Sequence, residues 1–133
     1  MGDLSDHFSS SEFACQCGCG YGTNPGDVSP DLIQLLEEMR LYLQRPIMIR
    51  SGCRCRYHNG VVGGVAHSRH VTGEAADIGV IGGEERHNMI FAATIINYRH
   101  FPGAQGIGIA KTFIHVDVHM GSDDCPRPAA WSY

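Results

Sequence analysis

Residues 113–119 read FIHVDVH, a strict alternation that suits an extended strand and little else. With a side-chain period of two, Phe113, His115, Asp117 and His119 share one face, and Ile114, Val116 and Val118 share the other. The apolar face has to be covered by a core, so this strand belongs to a sheet packed on one side. The opposite face lines up three polar side chains able to bind a metal, where a merely solvated strand would use Thr, Lys or Glu. A second segment, SRHVTGEAADIGV (68–80), sets His70 and Asp77 seven positions apart across the small residues Gly73, Ala75 and Ala76. Small residues let a backbone curl closely between two ligands. A catalytic zinc takes three nitrogen or oxygen ligands and keeps one position open for water. His70, Asp77 and one strand histidine supply such a set.

The remaining elements follow from local pattern. Ser29 and Pro30 supply an N-cap and a first-turn proline. Leu32, Leu35, Leu36, Met39 and Tyr42 or Leu43 recur at helical spacing, which predicts a helix over 30–44 that ends before Pro46. PIMIRSG (46–52) reads as a short buried strand, residues 53–67 as loop or short helix, and EAADIGVI (74–81) as a second strand. Gly82-Gly83 reads as a turn. A second helix follows over 84–98, with Ile90, Phe91, Thr94, Ile95 and Tyr98 on its apolar side. GIGIA (106–110) and 113–119 form an antiparallel hairpin. The GxG at 106–108 lacks the strand–helix context of a dinucleotide fingerprint. The expected fold is α+β, a small antiparallel sheet packed with two main helices. It forms one domain over 1–133, with a Cys-rich N-terminal segment at about 1–28.

Charge and cysteine content narrow the function. The formal net charge is −4 and the basic residues form no run, which argues against binding nucleic acid through its phosphates. Nowhere do eighteen apolar residues run together, and MGDLSDHFSS has neither a basic nor an apolar signal region. The expectation is a monomer made in the cytosol with no transmembrane segment. There the six cysteines are better read as thiols or metal ligands than as a disulfide framework. Cys15, Cys17 and Cys19 alternate in CQCGC, and Cys53 and Cys55 flank Arg54. A structural metal, or a redox-labile disulfide, among these five would tie the N-terminal loop to the Arg54 loop. Cys125 reads as unpaired.

The elements Ser68, His70, Gly73, Ala75 and Asp77 compose S-x-H-x-x-G-x-A-x-D, followed by a strand bearing a further histidine. This resembles the zinc D-Ala-D-Ala carboxypeptidase family, which includes phage endolysins cutting the L-Ala–D-Glu bond and shares its fold with the hedgehog signalling domain. SGCR (51–54) resembles the family segment that supplies a substrate-holding arginine, and HFSSSEFAC (7–15) is similar to the opening of a phage-type branch. The resemblance implies a hedgehog-like fold and a zinc bound by His70, Asp77 and His115. It implies that Arg54 holds or polarises the substrate and that Ser68 contacts it. The substrate class implied is the peptidoglycan stem peptide, and the absence of a signal then fits release at lysis or carriage by a virion.

One position departs from the family pattern. Many members place a general base three residues before the last zinc histidine, and Thr112 stands there. Asp117 is the nearest carboxylate, either as base or as the partner orienting a ligand. His119, further along the same face, would serve as acid or oxyanion stabiliser. Two functions therefore stand: a zinc peptidase of peptidoglycan, or a zinc module that binds wall peptide or a protein partner without efficient hydrolysis.

Overall fold

The computed structural model describes residues 2–133. Helix α1 spans Pro30–Leu43 and α3 spans Gly82–His100, with a short helix α2 at Arg56–Val61. Five strands form one sheet: β1 (Ile49–Ser51), β2 (Ala75–Gly79), β3 (Gly106–Ile109), β4 (Phe113–Asp117) and β5 (Ala129–Ser132), in the order β1-β2-β4-β3-β5. The fold is α+β as expected, with the difference that the sheet is mixed. The first four strands pair antiparallel, but β5 runs parallel to β3. The 3–4 hairpin is present, with Ala110 donating to the Phe113 carbonyl at 3.0 Å across its turn.

Alternation along β4 decides the layering. Ile114 and Val116 are fully buried and Val118 nearly so, and they meet Ile78, Ile107 and the two long helices in one core. On α1, Leu32, Leu35, Leu36 and Met39 are fully buried. Leu43, rather than Tyr42, continues that stripe against the core. The helix stops where Gln44 turns left-handed (φ 52°), its N–H capping the Arg40 carbonyl.

Helix α3 differs from expectation in start and phase. It begins at Gly82, so the glycine pair forms its first turn. Its buried face is Met89, Ala92, Ala93, Ile96 and Asn97, whereas Phe91, Thr94 and Tyr98 are exposed. Alanines let the helix approach α1 and the sheet closely, and the larger aromatics stay at the rim, where Phe91 meets Tyr42 at 6.4 Å. Likewise β1 is an edge strand with Arg50 exposed between two half-buried neighbours, because among the described residues no further strand pairs its outer side.

The glycine-rich N-terminal segment joins the core through two aromatics. Phe8 and Phe13 are buried, the latter at the end of a 3-10 turn (Ser10–Phe13) started by Ser9, whose N–H donates to Glu12. His7 pairs with Glu37 of α1 at 2.8 Å. Among the described residues no helix is long and apolar enough to cross a membrane.

Candidate metal centre

Sheet register sets the site. Ser51, Asp77, His115, Gly108 and Trp131 are successive Cα partners across β1, β2, β4, β3 and β5, so they form one row on the face opposite the core. Asp77 and His115 are thereby neighbours. His70 arrives from the loop before β2, and that loop is held at both ends. Gly73 takes φ +75° against the Asp27 carbonyl, too close for a side chain, and its own carbonyl accepts from Ser29 N–H at 2.9 Å. The His70 carbonyl accepts from Arg54 N–H at 2.9 Å.

Three ligand atoms converge. His70 Nε2 lies 3.2 Å and His115 Nδ1 3.3 Å from the same Asp77 oxygen, and one ligand atom from each of the three residues falls within 4.8 Å of the others. The far side of each ring decides its tautomer. His70 Nδ1 sits 2.7 Å from the Gly52 carbonyl, an acceptor, so it carries the proton and Nε2 presents its lone pair. His115 Nε2 sits 2.8 Å from Asp117 Oδ2, so its Nδ1 likewise presents a lone pair. That Nδ1 is buried without a hydrogen-bond partner. Two lone pairs and a carboxylate facing one point form a set that a cation completes, and the donors are those a catalytic zinc takes. These residues fit the metal.

Asp117 is fully buried, and both its oxygens are taken. Arg127 donates through Nε at 3.0 Å and Nη2 at 2.6 Å, His119 N–H donates at 3.3 Å, and His115 holds the second oxygen. Buried Asn97 donates to the Asp117 carbonyl at 3.1 Å. Gly106, its partner on β3, has no side chain because a Cβ there would run into the Asp117 carboxylate. Asp117 therefore has the surroundings of a ligand-orienting partner rather than of a base open to substrate. His119 points elsewhere too: its ring meets Arg69, Glu74 and Ser122, and it is absent from the cleft lining. Thr112 sits exposed in the β3–β4 turn.

The centre opens into a cleft of about 750 Å³. Arg54 and Ser68 line it, as the sequence leads one to expect. Arg54 Nη1 donates to Asn59 at 3.0 Å and Nη2 stands 3.9 Å from Asp77, which leaves donors on the guanidinium for a ligand. Ser68 Oγ accepts from His70 N–H at 3.3 Å. The opposite wall comes from the C-terminal segment, which the pattern 120–133 leaves as loop. Trp131 lies 5.1 Å from the His115 ring with Arg127 stacked 5.5 Å from its own ring, and Tyr133 lies 5.2 Å from Phe113. Gly108 makes room for the indole, since a Cβ there would come within 2.7 Å of Trp131 Nε1. The alternation AAWSY and the two glycines of GIG are the signals for this wall. The prolines at 126 and 128 mask the first, and the second makes sense only once β5 is known to cross it.

Charge pairing gives the metal-free protein a defined pH window. Burial opposes ionisation of Asp77, but in the metal-free protein the His115 and His70 rings beside it outweigh burial and hold the carboxyl well below the usual range. Burial likewise opposes Asp117, and His115 and Arg127 pull it below normal. Burial lowers His115, but Asp117 and Asp77 together raise it. Depressed carboxyls stabilise fully above the unfolded value of ~3.9 and lose that contribution as pH falls through their folded values. The raised His115 stabilises fully below ~6.5 and loses its contribution as pH rises through its folded value. Without metal, thermal stability should peak between about pH 4 and 6.5, and zinc should move the maximum upward. Calorimetry across pH with and without chelator reads this directly.

A family model described as Peptidase M15 matches residues 6–117. The match spans His70, Asp77, His115 and Asp117 and ends before Arg127, Trp131 and Tyr133. No curated protein matches the chain.

Proposed function

Because the chain belongs to the Peptidase M15 family of zinc-dependent peptidases, we propose that it hydrolyses peptide bonds in peptidoglycan stem peptides. The reaction would be of the D-Ala-D-Ala carboxypeptidase or L-Ala–D-Glu endopeptidase type and would serve cell-wall lysis. One observation carries this reading: two imidazole lone pairs and one carboxylate face a single point beside an open cleft. Zinc held by His70, Asp77 and His115 would supply a water acidic enough to attack an amide at neutral pH.

The protein's own groups do the rest. Asp117 holds the His115 tautomer, and Gly52 holds that of His70. Arg54 binds a substrate carboxylate or carbonyl, a job suited to its planar, permanently charged fork. Ser68 contacts the peptide backbone, and Trp131 and Tyr133 close the other wall. Asp77 is the sole carboxylate among the described residues lining the cleft, so we give the proton-carrying role to His67. It lines the cleft, and its Nδ1 lies 3.1 Å from Asp124, which leaves Nε2 free.

That shortage of carboxylates also favours a second reading, a zinc module that retains wall peptide without cutting it. Mass mapping of peptidoglycan incubated with the protein separates the two. A carboxypeptidase releases single D-alanine, an endopeptidase exposes new D-Glu amines, and a binding module leaves the fragments unchanged while cosedimenting with the wall. His67→Gln should lower kcat ~10²–10⁴-fold with zinc content unchanged. An unaffected kcat would remove His67 from the mechanism.

A further inference from the structure

Outside the cleft, the sulfurs of Cys15, Cys17, Cys19 and Cys55 all lie within 4.8 Å of one another. Cys15 Sγ is 3.4 Å from Cys17 Sγ, and Cys17 Sγ is 3.6 Å from Cys55 Sγ. A tetrahedral zinc with Zn–S bonds of ~2.3 Å has S···S edges of about 3.8 Å, whereas a disulfide requires ~2.05 Å. The two spacings of 3.4 and 3.6 Å lie near a tetrahedron's edge and far outside a disulfide bond. Backbone geometry presents the sulfurs as acceptors: Cys55 N–H donates to Cys15 Sγ at 3.4 Å and His58 N–H to Cys55 Sγ at 3.3 Å. Gly18 and Gly20, both at positive φ, turn the CQCGCG segment so that alternate cysteines reach one point. The turn is closed by Gly18 N–H on the Cys15 carbonyl at 3.1 Å and Cys15 N–H on the Tyr21 carbonyl at 2.7 Å.

We propose that Cys15, Cys17, Cys19 and Cys55 form a tetrathiolate site for a second, structural zinc ion. Each thiol gives its proton to solvent as its sulfur binds the metal. Cys53 is no part of it: its buried sulfur contacts the Asp27 carbonyl at 3.8 Å. Cys125 lines the cleft instead. The site staples two segments far apart in sequence, and each carries a neighbour of the cleft. Gln16 lies between two of the ligands, reaches the Arg50 carbonyl at 2.7 Å and lines the cleft. Arg54 precedes Cys55, which caps the N-terminus of α2. The zinc thus fixes the rim on which Arg54 stands, and its existence does not depend on what the cleft does.

Metal analysis of the full chain tests this. Wild-type protein, dialysed after exposure to zinc, should hold two zinc ions. Cys17→Ser/Cys19→Ser should hold one, His70→Ala one, and Cys125→Ser two. Cobalt-loaded wild type should show strong thiolate-to-cobalt charge transfer that His70→Ala retains. The exposed Cys17 and Cys19 should resist alkylation in the zinc form and react once a chelator is added, a readout that needs no variant to fold. Rapid alkylation of both in zinc-loaded protein would overturn the proposal. So would a mass lower by one hydrogen pair per bridge in non-reduced protein. Loss of zinc only in His70→Ala would do the same while leaving the catalytic reading intact.

Discussion

Replacing His70 by alanine should abolish the proposed hydrolysis of peptidoglycan stem peptides and remove one zinc ion, while the fold survives. The ring is one of three groups facing the metal point, and the other two cannot close a three-ligand site without it. Loss of an orienting partner costs ~10–100-fold in metal affinity, and loss of a ligand should exceed that. The structural cost is smaller. It leaves the buried Gly52 carbonyl without its 2.7 Å donor, about 1–3 kcal/mol. Zinc content after dialysis, melting temperature and fragment release should therefore separate. Retained zinc and retained cleavage in the same preparation would end the assignment.

Asp117→Ala should be the most destabilising change near the site. It strips both contacts from Arg127, whose side chain is only 6% exposed, and breaking such a pair from one side costs ~3–5 kcal/mol. It also releases His115 Nε2, so the ring can turn or change tautomer, and zinc affinity should fall ~10–100-fold. Asp117→Asn keeps an acceptor for His115 and should lose less of both. The decisive comparison is with excess zinc: an orienting residue is rescued, and a general base is not. Asp117→Asn with unchanged zinc affinity and a kcat that saturating zinc leaves collapsed would return the base role to Asp117.

Much of the site could be read from spacing. SxHxxGxAxD sets an imidazole and a carboxylate across small residues, and the two-residue period of FIHVDVH puts His115, Asp117 and His119 on one face, from which the family resemblance singles out His115. The helix over 30–44 was equally plain, its Leu and Met stripe being long and regular. The phase of α3 was not, because burial there goes to alanines and one asparagine, while Phe91 and Tyr98 stay outside. Hydrophobicity alone assigns the larger residues to the core. Asn97 is buried for a reason no periodicity carries, its bond to the Asp117 carbonyl.

Local pattern by itself determined an α+β chain, a half-buried strand with ligands on its free face, a His–Asp–His set and a cysteine-rich N-terminus. These are short-range properties, encoded in residue type and period. Tertiary structure decided what depends on strands meeting. It brought β5 alongside β3 in parallel, so that Trp131 shares a row with His115 and Arg127 reaches Asp117. It thereby changed Asp117 from an available carboxylate into a committed one, since only packing reveals which partners a buried charge has found. It also chose four of the five candidate cysteines, by bringing Cys55 to Cys15, Cys17 and Cys19 and turning Cys53 into the core.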